Sequence, residues 1–203
     1  MPGLKLPGYL RLLVIAILLS GCTTTVPLKP TVDHVPSFPK MPLSAGIYYS
    51  PELRSYMYES VHWLTFCQGI VFPLGQASVT LLERLFPIMF HNAVTLESRP
   101  TLLPSTAKLS LIIEPDIEEV QCAYGDWAYS VEITYHFFLY SPSGEALGYW
   151  LVTGRGEAKL GIFEDPDTTA GKAADLAMED AASKIAIQFR DIPAVQRLLQ
   201  EGR

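Results

Sequence analysis

Tyr129-Ser130-Val131-Glu132-Ile133-Thr134-Tyr135-His136-Phe137-Phe138-Leu139-Tyr140 is the stretch that decides the fold. Its odd positions are apolar or aromatic throughout, while Ser130, Glu132, Thr134 and His136 fill the even ones. Side chains alternate across a strand, so this period of two predicts a long strand with one face buried. Phe138 and Tyr140 break the polar phase and extend that face toward a second apolar surface. A shorter run of the same kind, Leu109, Leu111 and Ile113, alternates with Ser110 and Ile112. Downstream, Ser141-Pro142-Ser143-Gly144 has the composition of a turn, and a further strand from about Glu145 to Ala158 completes an antiparallel hairpin.

Helical spacing appears on both sides of this core. Gly75 opens a pattern in which Leu81, Leu82, Leu85, Phe86, Met89 and Phe90 share one face, with Pro87 placed to kink or shorten it. Thr168 or Thr169 is a candidate cap for a helix starting near Ala170, with Ala174, Ala177, Met178, Ala181 and Ile185 as its apolar stripe. So small a stripe lets the helix lie close to a sheet. A short amphipathic segment runs from Pro193 to Leu199. Nearer the start, Ala45 to Tyr49 reads as a strand interrupted by Pro51, and Val61 to Phe72 is open between strand and loop. The economical way to bury both helical stripes is an α+β fold: a two-layer sandwich, mostly antiparallel, with two helices on one face.

The first residues form a leader. Lys5 and Arg11 precede the apolar run Leu12 to Leu19, and Leu19-Ser20-Gly21-Cys22 closes it. The run is too short for a membrane-spanning helix, which needs about 20 residues, and has the layout of a secretory signal. The closing residues resemble the bacterial lipobox at every position. The resemblance implies cleavage before Cys22 and acylation of that residue, each buried methylene contributing about 0.8 kcal/mol to membrane attachment. Thr23 favours the outer membrane by resemblance to the enteric sorting rule. The alternative is an ordinary cleavage site beside an unmodified cysteine. Residues 23 to 44 contain Pro27, Pro30, Pro36, Pro39 and Pro42. Proline fixes φ and removes a donor, so the stretch is expected to be an extended spacer of ~3.1 Å per residue. The expected organisation is therefore a signal peptide at 1–21, a lipidated cysteine and tether at 22–44, and one periplasmic domain at 45–203.

Without the leader the chain keeps 13 basic residues against 21 acidic ones, a charge of about −8, and it has no basic cluster. It is therefore a poor partner for nucleic acid or for anionic headgroups, and attachment should rest on the lipid. Cys67 and Cys122 remain after lipidation. An oxidising compartment would allow a disulfide between them, and two separate buried thiols are the alternative.

Chemistry-bearing motifs are absent or incomplete. His34, His62, His91 and His136 show no HExxH or other paired spacing, and no zinc site is expected. No GxSxG elbow occurs. Ser105-Thr106-Ala107-Lys108 matches SxxK but lacks the partner elements such enzymes require. Gly154-Arg155-Gly156 fails GxGxxG because Lys159 stands at its last position, and Gly171-Lys172 lacks the rest of a P-loop. Gly154 and Gly156 read better as a bulge or a close packing contact. Glu114, Asp116, Glu118 and Glu119 form an acidic run expected at a solvated strand end, with weak calcium binding as the alternative. No catalytic residue, metal or cofactor is expected, and the chain reads as non-enzymatic.

Lipobox, proline-rich segment, LSLIIEPDIEEV, YSVEITYHFFLYSPSGEALGYWLVTGRGEA and AADLAMEDAASKIA together resemble the YajG-type lipoproteins of Gram-negative bacteria. They are similar, more loosely, to the LptE component of lipopolysaccharide transport and to auxiliary lipoproteins of ABC transporters. The likeness is one of element order over most of residues 45 to 200, and it carries no catalytic residue. It implies a non-enzymatic envelope protein with a two-layer α/β fold. The anchor, the spacer and the absent catalytic motifs add the expectation of an accessory or scaffold lipoprotein on the periplasmic face of the outer membrane, acting through an envelope protein partner. The candidate contact surface is Tyr48, Tyr49, Tyr56, Tyr58 and Trp63, since aromatics are enriched at interface centres, with core packing as the alternative. The alternative is a lipid-binding transport auxiliary, with an apolar groove between the Leu81–Phe90 helix and the sheet. The register of the central strand can be tested by itself. Ile133→Ala should cost about 2–5 kcal/mol in denaturant unfolding. Thr134→Ala should stay near 0.5 kcal/mol, and the reverse ranking would shift the register by one residue.

Overall fold

The alternating strand becomes β7 (Ala128–Tyr140), with Val131, Ile133, Tyr135, Phe137 and Leu139 buried on one side. The structure, a computed structural model, describes residues 24–61, 69–99 and 108–201. β7 pairs antiparallel with β6 (Leu111–Gly125) and β8 (Ala146–Lys159). β2 (Met41–Tyr48) joins β6 in parallel through Ala45–Ile47, and β5 (Phe90–Leu96) joins the far side of β2, also in parallel. The five-stranded sheet thus runs β5-β2-β6-β7-β8. A second, three-stranded sheet has the order β1-β4-β3, formed by β1 (Thr24–Thr25), β4 (Gly69–Phe72) and β3 (Tyr58–Val61). The apolar stretch from Val61 to Phe72, left open between strand and loop, thus supplies β4 and the last residue of β3.

Two helices cover one face of the large sheet. α1 (Pro51–Arg54) is a single turn capped by Ser50; the covering helices are α2 (Leu74–Met89) and α3 (Pro166–Gln188). The Ser78 hydroxyl of α2 lies 2.9 Å from the Tyr135 hydroxyl, which puts α2 on the inner face. Burial pushes the Tyr135 phenol well above its ordinary range, against the opposing pull of the Ser78 hydrogen bond, so it stays neutral there. α2 ends two residues after Pro87, and Phe90, expected in its stripe, instead opens β5. α3 starts earlier than its threonines suggested. Asp165 is the cap, accepting from both the Thr168 N–H and its hydroxyl at 2.8 Å, with Pro166 in the first turn.

α3 reaches backbone distance from β8. A Cβ at Gly154 would run into the Ala177 carbonyl, and one at Gly156 into the Ala173 carbonyl. Ala173, Ala174, Ala177 and Ala181 are fully buried along the contact. The two glycines are therefore a packing contact. Beyond α3, a 3₁₀ turn (Phe189–Asp191) sets Phe189 edge-on to Phe90 at 5.4 Å and to Trp150 at 5.9 Å. α4 (Pro193–Glu201) follows, burying Ala194 and Val195.

The expected spacer is corrected by the structure. From residue 24 the chain is part of the packed domain, and β2 begins at Met41, ahead of the Ala45 boundary. Val26, Met41 and Leu43 are buried, and Leu28, Val32, Val35 and Phe38 pack half-buried against the core. Residues 26–39 form a strap running along α3. The Lys29 N–H donates to Asp175 Oδ1 at 2.8 Å, and the Thr31 N–H and hydroxyl both donate to Glu179 Oε1 at 3.0 Å. Farther on, the Ser183 hydroxyl donates to the His34 carbonyl, and the Arg190 guanidinium to the Pro39 carbonyl at 2.8 Å. Proline removed the strap's ladder donors, but its apolar residues still have an alanine-rich helix to cover, and the helix's carboxylates take the donors that remain.

Gly154→Ala should cost at least about 1–3 kcal/mol, because the obstruction is backbone. A urea midpoint unchanged from wild type would mean that α3 does not lie this close. Asp175 supplies a pH-dependent check on the strap. Burial pushes its carboxyl from 3.8 to about 6, opposed by the Lys29 N–H and reinforced by Glu179. The folded state then holds a proton that the unfolded chain releases, so this group's contribution falls as pH rises through that window. Asp175→Asn keeps the acceptor and removes the titration. Its stability should gain on wild type between about pH 4 and pH 7; parallel stability curves would dismiss the buried-carboxylate explanation.

Candidate functional site

The helices lie on one face of β6–β8; on the other, Ile112 and Glu114 at the start of β6 are buried, and the remainder carries polar and aromatic side chains. Polar alternation was expected there, and Glu132, Thr134 and His136 do point to it. Thr134 and Thr153 share a hydroxyl contact of 2.9 Å, and Arg155 pairs with Glu132 at 2.9 Å. The apolar members form a patch. The His136 ring stacks on Phe138 at 4.0 Å and meets Tyr149 edge-on at 5.2 Å. Tyr149 stands opposite Phe138, and Leu151 opposite His136. Tyr149 is 68% exposed and Leu151 47%.

A β-bulge in β6 shapes the rim of this patch. Ile117 pairs with Tyr135 on the inner face, the register then shifts, and Glu119 pairs with Thr134 on the outer face. Without the extra residue, Glu119 would turn toward the core and Val120 and Cys122 toward solvent. With it, Val120, Cys122 and Tyr124 pack half-buried on the helix side. Glu118, the inserted residue, reaches His136 Nδ1 at 3.1 Å. His136 Nε2 is buried and has no hydrogen-bond partner among the described residues.

At the β7 C-terminal end the patch opens into a cleft of about 430 Å³ lined by Ser50, Glu52, Arg99, Glu114, Asp116 and Tyr140. Glu114 is buried and lies 3.5 Å from Arg99 Nη2. Burial raises the Tyr140 phenol, and so do the charge of Glu114 and the hydrogen bond to it, while Arg99 lowers it. The carboxylate is thus matched by one guanidinium and one phenol. The acidic run is correspondingly not a strand end: it occupies the middle of β6. Its members take separate partners, Asp116 its neighbour's N–H and Glu119 the Gln121 amide. Among the described residues no group of three or more His, Cys, Asp or Glu is arranged to hold a metal.

The aromatic set named from sequence does not form one surface. Tyr49 is in the core, where burial, the first of its causes, raises its phenol far above the ordinary range. Tyr58 is half-buried and stacks on Phe72 at 6.1 Å, and Tyr56 also packs half-buried against the core. Tyr48, at the end of β2, is half-buried. Trp63, Cys22, Cys67, His62 and Ser105 lie outside the described residues, so lipidation and the Cys67–Cys122 bridge do as well. His34, on the strap, approaches Glu179 at 3.4 Å, and His91 is exposed on β5. The groove expected between α2 and the sheet is filled: Leu81, Leu82, Leu85, Phe86 and Met89 are all at most 1% exposed. Tyr149 and Leu151 were missed because Trp150 and Val152 between them are apolar too. Apolar residues in both phases of a strand were the available signal.

No protein-family model matches the chain. No curated protein matches it either. Among solved structures it is similar to protein XCC0632 from Xanthomonas campestris, of family model DUF330. That match has 10% identity and a TM-score of 0.52, and covers 88% of this chain and 99% of that one. It shows a shared fold. It is also similar to a Helicobacter pylori protein described as a neuraminyllactose-binding hemagglutinin homolog (10% identity, TM-score 0.49, 83% and 96% covered). A third similarity is to a minor lipoprotein from Acinetobacter baumannii (9% identity, TM-score 0.45, 78% and 96% covered).

Proposed function

We propose that the chain is a non-enzymatic, lipid-anchored lipoprotein of the bacterial envelope that binds a protein partner through the outer face of β6–β8. One observation carries the reading: an aromatic and aliphatic patch, with Tyr149 and Leu151 exposed beside half-buried His136 and Phe138, on the sheet face opposite the helices. Sheet faces of this kind gain by burying aromatics at the centre of an interface, with polar residues at the rim. Here the rim is mostly acidic, with Asp116, Glu118, Glu119 and Glu132 near the cation Arg155. The fitting partner therefore presents apolar side chains ringed by lysine or arginine. The anchor is Cys22, on the lipobox. Among the described residues no helix is long and apolar enough to cross a membrane. Placement at the periplasmic face of the outer membrane rests on Thr23, and kinship with the YajG-type lipoproteins on element order. The packed α2–sheet interface gives the lipid-carrier alternative no support.

Two variants separate anchor from partner. Cys22→Ser should move the protein from the membrane pellet to the soluble periplasmic fraction. Tyr149→Ser with Leu151→Ser should leave fractionation and the unfolding midpoint unchanged, yet lose the crosslinked complex seen with wild-type envelopes. A full yield of that complex from the double variant would place the partner elsewhere.

A further inference from the structure

The opposite end of the sheet carries apolar residues where turns usually carry polar ones. β6 and β7 are joined by Asp126-Trp127, both at positive φ (50° and 59°). Two-residue hairpin turns of this shape favour Asn-Gly or Asp-Gly, and a bulky residue there is strained. Trp127 nevertheless occupies it, 74% exposed. In the loop after β8 the Glu164 N–H donates to the Gly161 carbonyl at 3.1 Å, and the Gly161 N–H to Glu164 Oε2 at 3.1 Å. The turn so closed presents Ile162 and Phe163, 94% and 100% exposed. The Leu160 N–H donates to the Trp127 carbonyl at 2.7 Å, tying both loops into one tip.

The strap brings the start of the chain to this end. Followed backwards, it passes Glu179 at Thr31, Asp175 at Lys29 and Gly171 at Val26, moving toward the first turn of α3. That turn follows directly from the Ile162–Phe163 loop. Cys22 is two residues before Thr24, at most about 7 Å of chain. We infer that Trp127, Ile162 and Phe163 insert into the interface of the bilayer to which Cys22 is anchored, and so stand the domain upright. Tryptophan and phenylalanine settle at the headgroup level, where an aromatic body is partly desolvated. Asp126, Glu164, Asp165 and Asp167 flank these turns in the chain and outnumber Lys159, which pairs with Ala128 beside Trp127. The surface the tip fits is therefore zwitterionic phospholipid, and contact rests on apolar area. In this pose the Glu114–Tyr140 cleft is held a strand length away, roughly 40 Å for thirteen residues of β7.

The inference rests on the lipid anchor, and the experiment separates the two. The full lipidated chain is reconstituted into phosphatidylethanolamine–phosphatidylcholine vesicles with brominated acyl chains. Flotation reads the anchor, and quenching reads the tip, with Trp127→Phe isolating the Trp127 signal. The expected result is flotation with loss of Trp127 emission, and recovery of that emission in Ile162→Ser with Phe163→Ser. Flotation with Trp127 unquenched overturns the inference and leaves the anchor standing, whether iodide then reaches the indole or a crosslinked protein shields it. Failure to float removes the anchor and the inference together.

Discussion

The depth at which α3 lies on β8 sets most of the molecule. With a Cβ at position 154 or 156 running into the Ala177 or Ala173 carbonyl, the helix would have to rise off the sheet, loosening the aromatic junction at its end. Phe189 touches both Phe90 of β5 and Trp150 of β8, so it links the two edges of the sheet beneath the helices. Alanine supplies little apolar area per residue, so a stripe of alanines stabilises only through close approach. The glycines make that approach available, and the strap then covers the side of α3 that the sheet leaves bare.

Side-chain parity is the second constraint. A fifteen-residue strand cannot keep acidic residues on one face through Glu114, Asp116 and Glu119, because 116 and 119 differ by an odd number. The bulge at Glu118 absorbs the mismatch and keeps the carboxylates on the outer face. Pro115 is tolerated in β6 because β2 pairs with it only over Leu111–Ile113, so one side of β6 has no ladder partner beyond that point. The acidic rim of the proposed interface therefore follows from a backbone irregularity, and the charged residues alone would not have produced it.

The hairpin, the two covering helices and the inner face of β7 were legible in the sequence because each rests on local periodicity. β5 was not, since Phe90 continues the helical spacing of Leu82, Phe86 and Met89 until Pro87 ends it. The parallel pairing of β2 with β5 and β6 joins segments remote in sequence, and no local pattern encodes it. The strap was misread for a related reason. Its proline content kept it out of helix and sheet, with a turn closed by the Val35 N–H on the Val32 carbonyl, but composition cannot tell a segment in solvent from one lying on a helix. The difference lies in Val26, Leu28, Val32 and Val35, which pack against the core, while the Lys29 and Thr31 N–H groups reach α3 carboxylates 146 and 148 residues away. Of the candidate site, Phe138 was visible as a break in polarity; Tyr149 and Leu151 were hidden by apolar neighbours in both phases.

The strap also fixes a direction on the molecule. A free spacer would leave the domain to tumble above the proposed anchor, and no face would be preferred. A spacer bound along α3 instead fixes Val26 against Gly171, near the start of the helix that follows the Ile162–Phe163 loop. The long axis of β7 then runs toward the Arg99–Glu114–Tyr140 cleft, and the face of β6–β8 opposite the helices lies alongside it. A partner gripping that face would be aligned along the same axis. Orientation would therefore pass from anchor to partner through a rigid sheet, and the alanine–glycine contact that seats α3 would be what makes the sheet and the strap one body.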